Sequence, residues 1–178
     1  MFGSLLKKKL TENQVANILI NAIFDSVDSG FKEVARLINE DMAFIKSPQI
    51  DEKNTGEFGL IVIVGNLDFL KSNFDAQQSE RIEAIIFEKL SKIYNLEVDS
   101  FKKLINEYQS FIVRVNHPSK NWVYGMSKAV FYKYKLNDFQ DEYFKRLQSP
   151  NPLFLKRMDE IMGNFIWNWD AFSKKYKL

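Results

Sequence analysis

Apolar side chains recur every three to four positions along most of the chain, and that spacing predicts helices. The first is the clearest. Thr11 and Gln14 form a capping box, in which each side chain accepts from the other residue's free backbone N–H. Val15, Ile18, Leu19, Ala22, Ile23 and Val27 follow at helical spacing. Gly30 then predicts a stop, with Asp28 or Ser29 capping a second helix that runs from Phe31 toward Ile45. Val34, Ala35, Leu37 and Ile38 form its inward face, and Ser47 to Gly56, which contains Pro48, reads as a linker.

Glu57 to Ser72 is ambiguous. Leu60 to Val64 is apolar and β-branched, and Gly65-Asn66 suits a tight turn, so residues 58–70 carry the signal of a local hairpin. A solitary hairpin has no partner strands elsewhere in this chain, and two strands alone are marginal. A buried helix is therefore expected, with Gly59 and Gly65 as places of close packing.

Asp75 is the expected cap of a helix with Ile82, Ile85, Ile86, Leu90 and Ile93 inward. Asp99 is the expected cap of another, with Phe101, Leu104, Ile105, Tyr108, Ile112 and Val115 inward, and Ser119 of a third that contains Trp122, Met126 and Val130. A short amphipathic helix is expected over Phe139 to Leu147. Asn151-Pro152 reads as the cap and first residue of a last helix, where proline's missing N–H costs nothing. Met158, Met162, Phe165, Trp169 and Phe172 give that helix an inward face toward Tyr176. The fold class is thus all-α: one domain over residues 1–178, a compact bundle or array of about eight helices, with residues 1–10 as a frayed terminus whose Leu5 and Leu6 dock on the bundle. No heptad seam is sustained, which argues against a coiled coil.

Composition narrows the function classes. The 178 residues are 46% hydrophobic and 27% charged, an ordinary globular balance. Aromatics reach 15%, more ring area than a plain core of this size requires. There is no cysteine, which excludes disulfides, thiol catalysis and cysteine-based metal sites, and fits a reducing compartment such as the cytoplasm. The longest apolar run, Phe58 to Val64, is too short to span a bilayer. Net charge is +2, unevenly placed: residues 1–89 hold 10 basic and 14 acidic side chains, residues 90–178 hold 15 and 9. That asymmetry is too mild to predict a nucleic-acid partner.

Candidate chemistry is sparse. His117 is the only histidine and lies before Pro118 in a turn, so neither a His-based zinc motif nor a nucleophile elbow can be assembled. Gly56, Gly59 and Gly65 do not make a phosphate-binding loop. No catalytic residue, metal ligand or cofactor site is predicted. Two stretches are richer than packing demands. One is Arg114 to Lys128, where Arg114, His117, Lys120, Trp122 and Tyr124 crowd a turn and the start of a helix. This is either a well-capped connection with Trp122 in the core, or a surface for an anion or an acidic partner. The other is the last helix, where Trp167 projects away from the face shared by Phe165, Trp169 and Phe172. Exposed tryptophan is typical of interface anchors. The chain therefore reads as a protein-interaction or oligomerisation module without catalytic activity, its partner another protein or a second copy. The alternative is a small-molecule-binding helical domain whose extra rings line an apolar pocket.

Overall fold

The computed structural model describes residues 7–178, so the expectation for Leu5 and Leu6 lies outside the described residues. The fold is an all-α array. Its helices are α1 (Glu12–Glu40), α2 (Gly56–Lys71), α3 (Ala76–Ile93), α4 (Val98–Asn116), α5 (Trp122–Lys133), α6 (Glu142–Leu147), α7 (Pro152–Met162) and α8 (Trp169–Lys175). Single 3₁₀ turns at Leu136–Phe139 and Gly163–Phe165 precede α6 and follow α7.

The capping box opens α1: Gln14 N–H donates to Thr11 Oγ1 at 3.2 Å, and Thr11 N–H to Gln14 Oε1 at 2.9 Å. The expected first and second helices are one. Gly30 does not stop the helix, because its φ is not positive and the ladder continues through it to Glu40. The residue is small for a different reason: a Cβ there would sit 2.8 Å from Cζ of the Phe165 ring. Ser29 caps nothing, and its hydroxyl donates to Asp25 O at 2.6 Å within the same helix. Ile45 likewise falls outside any helix, in a turn after Asp41.

The ambiguous segment is helix α2, and it is the centre of the molecule. It packs against α1, α3, α4 and α5. Leu60 to Leu67 are all buried, a run that covers every face of the helix. A helix enclosed on all sides loses its amphipathic period, which is why its sequence also resembled a strand. Gly65 is a place of close packing, since a Cβ there would come within 2.6 Å of Met126 Cε on α5. Gly59 is not; only Tyr94 Oη lies near, at 3.9 Å. The N-terminus of α2 has no local side-chain cap. Tyr134, at the end of α5, serves instead: its hydroxyl accepts from Phe58 N–H at 3.2 Å and donates to Asn54 O at 2.6 Å.

Aromatic rings fill this core. Phe31, Phe58 and Phe165 form a chain with centroid separations of 5.1 and 4.7 Å, joining α1, α2 and the turn after α7. Phe131, Phe154 and Phe44 form a second, with separations of 6.1 and 5.0 Å. The aromatic excess is thus largely interior. Asp75 caps α3 as expected, its Oδ1 accepting from Gln78 N–H at 2.8 Å, but Ile93 is exposed. The cap of α4 is Glu97 rather than Asp99, which occupies the first turn.

The expected last helix is broken in two. The turn Gly163–Phe165 and the extended step at Ile166 separate α7 from α8. Asn66, fully buried on α2, holds the break. Its Nδ2 donates to Phe165 O at 2.9 Å, and its Oδ1 accepts from Trp167 N–H at 2.8 Å. The chain then ends in a two-residue parallel ladder, Tyr176–Lys177 against Lys8–Lys9, and Leu10 N–H donates to Lys177 O at 2.8 Å. Residues 8–10 are therefore paired rather than frayed. Among the described residues no helix is long and apolar enough to cross a membrane.

Candidate interaction surfaces

The turn between α4 and α5 contains a cis peptide bond at His117–Pro118. Arg114, His117 and Lys120 are exposed there. The helix cap is Asn121, whose Oδ1 accepts from Tyr124 N–H at 3.2 Å; Ser119 supports it from outside, accepting from Asn121 N–H at 3.1 Å. Trp122 and Tyr124 are half-buried and packed against the core. Burial pushes the carboxyl of Asp68 on α2 up, and the nearby Lys71 and the Trp122 indole pull it back in part. Lys128 Nζ lies 4.6 Å above the Tyr124 ring. The two rings are thus already engaged, and the open part of this turn is its cations.

Trp167 is elsewhere. It lines a cleft of about 270 Å³ with Ala22, Ser26 and Asn164, and none of residues 114–124 reaches it. The ring is half-buried against the core, 6.5 Å from Phe172. Because the helix breaks before it, Trp167 does not project from a helical face at all. The structure does not join the six sequence-predicted site residues into one surface.

A different end of the molecule exposes apolar side chains. Met42 is 92% exposed and Ile45 73%, and Tyr143, Leu147 and Leu153 are each more than half exposed. These five come from three segments that Gln140 ties together. Gln140 is fully buried. Its backbone bridges Phe44 antiparallel, its Nε2 donates to Ser149 O at 2.9 Å and Asn137 Oδ1 at 3.2 Å, and its Oε1 accepts from Asn151 N–H at 2.7 Å. The short helix α6, expected to be amphipathic with an inward face, buries none of its residues. Two of the charge pairs at this end are internal. Arg157 clasps the buried Asp41 carboxylate with two bonds of 2.6 Å, and Arg146 meets Glu142 at 3.7 Å.

Sequence reasoning missed these residues because single exposed apolar side chains are ordinary. The available signal was local: Met42 and Ile45 lie close before Pro48, and Leu147 precedes a Pro-containing turn.

A second open feature is a cleft of about 480 Å³ along α4, lined by Lys103, Glu107, Tyr108, Phe111 and Arg114 together with Lys133 of α5. Tyr108 donates its hydroxyl hydrogen to Glu57, and burial together with that carboxylate raises its pKa, so the phenol stays protonated. A more apolar cleft of about 290 Å³ lies between α1 and α2, with Phe24 and Tyr94 as its only rings. Among the described residues no group of three or more potential metal ligands converges. Comparison with protein-family models, curated proteins and solved structures returns no match.

Proposed function

We propose that the protein is a self-associating interaction module of the cytoplasm, which acts by binding a second copy of itself and not by catalysis. The observation that supports this is the apolar end built from Met42, Ile45, Tyr143, Leu147 and Leu153. Exposed apolar side chains on segments tied together give a hydrophobic contribution only when another surface covers them. A two-fold contact places the same patch on both sides, so like charges close to the axis are brought near one another. Internally paired charges, such as Asp41 with Arg157 and Glu142 with Arg146, make that arrangement tolerable. Rings drawn into the core, by contrast, leave only two for the apolar cleft between α1 and α2, which weakens the ligand-pocket alternative.

Sedimentation equilibrium tests the reading. The expected mass is about twice 20.9 kDa at micromolar concentration. The double variant Met42→Asp, Leu153→Asp is expected to sediment as a monomer with an unchanged helical circular dichroism spectrum. A wild-type protein that stays monomeric up to the millimolar range removes the proposal, as does a double variant that still dimerises.

A further inference from the structure

Lys103, Glu107, Phe111 and Arg114 fall three to four residues apart on α4, so they form one stripe along its surface. Lys133 enters from the last turn of α5. Its Nζ lies 4.0 Å from the centroid of the Tyr108 ring and 5.0 Å from that of Phe111. The Arg114 guanidinium lies 5.2 Å from the same Phe111 centroid. Two cations therefore share one aromatic ring at one end of the 480 Å³ cleft, and Lys103 stands at the other.

The charges are unequal in their engagement. Lys133 is 3.7 Å from Glu57. Arg114 and Lys103 have no ion-pair partner among the described residues. Glu107 is the one carboxylate in the lining, and it stands between the two free cations.

We propose that this cleft binds an extended acidic peptide segment, with carboxylates on Lys103 at one end and on Arg114 and Lys133 at the other, and an uncharged residue passing Glu107. The spacing sets the length. Eleven helical rises separate Lys103 from Arg114, about 16 Å at 1.5 Å each, which about five extended residues span. The position of Glu107 sets the class. A nucleic-acid strand carries charge at every step and would bring a phosphate against that carboxylate, whereas a peptide can place a neutral residue there. This surface is separate from the apolar end, and the proposal does not rest on self-association.

The test is a titration of ¹⁵N-labelled protein with an unlabelled hexapeptide carrying two glutamates at each end and Phe-Gly in the middle. Saturable shifts are expected in the amides of residues 103–114. Binding is expected to weaken at least tenfold in Lys103→Glu, Arg114→Glu, to tighten severalfold in Glu107→Gln, and to fall as salt rises. All three positions are on the helix surface, and an unchanged circular dichroism spectrum confirms folding. The proposal is overturned by an absence of shifts at millimolar peptide, by equal binding of a peptide with lysines for glutamates, or by tighter binding of oligo-dT of similar length.

Discussion

Gln140 is buried and its side chain makes three hydrogen bonds, so an apolar replacement leaves partners without partners of their own. Gln140→Leu should cost about 1 to 3 kcal/mol, the usual penalty for stranding buried polar groups, measured by urea unfolding. A neutral result would mean that water reaches Asn151 N–H without help. Such roles were invisible in the sequence, where Gln140 reads as one polar position of an expected amphipathic helix. The same holds for Asn66, whose neighbour Gly65 suggested a turn, and for Tyr134, which caps a helix 76 positions earlier in the chain. Local caps were legible: Thr11, Asp75 and Asn151 all serve as their spacing implied. Caps supplied from across the fold leave no pattern in neighbouring residues.

Among the elements, α1 shows how a correct period gives a wrong boundary. Val15 through Ile38 keep a helical face throughout, but a glycine with acidic and hydroxyl neighbours imitates a stop. The physical role of Gly30 is steric, which makes its substitution diagnostic. In an exposed helix, glycine to alanine stabilises by about 1 kcal/mol. Here the new methyl meets the Phe165 ring, so Gly30→Ala should destabilise by about 1 to 3 kcal/mol, the usual cost of overpacking. Equilibrium unfolding in urea gives the sign, and a gain in stability would refute the close contact. The break between α7 and α8 is the opposite case. The apolar period runs on from Met158 to Phe172 and masks the break, although Gly163 at the turn and Asn168, whose Oδ1 accepts from Ala171 N–H to cap α8, lie inside the segment; the hydrogen bonds of Asn66 hold the turn.

At the scale of the molecule, fold class was readable because burial imposes a period on every helix with one wet face. The candidate surfaces were not, since they depend on which segments the fold leaves uncovered. Of the predicted site, Arg114 keeps an open role, while Trp122 and Tyr124 are drawn toward the core. The interior also carries an acid–base signature. Asp159 on α7 is partly buried, one of its oxygens lacks a hydrogen-bond partner, and burial raises its pKa. The Ser127 hydroxyl opposes that shift only in part. The folded state therefore holds this proton more tightly than the unfolded chain does. The resulting stabilisation is complete below the ordinary carboxylate pKa and is lost as pH rises through the folded value. Asp159→Asn should raise Tm near pH 7 and leave it nearly unchanged near pH 3, in paired thermal melts. An equal gain at both values would assign the effect to something other than ionisation.

The clasp that Asn66 makes on the broken C-terminal segment also sets how that segment can move. Peeling residues 166–178 away would break the bond from Trp167 N–H to the buried Asn66 and, at the far end, unzip the ladder to Lys8–Lys9. Detachment of the tail is therefore opposed at both of its ends. The last helix is accordingly not a loose arm, and a protease should cut there more often in an Asn66→Ala variant, which lacks one of the two tethers, than in the parent chain.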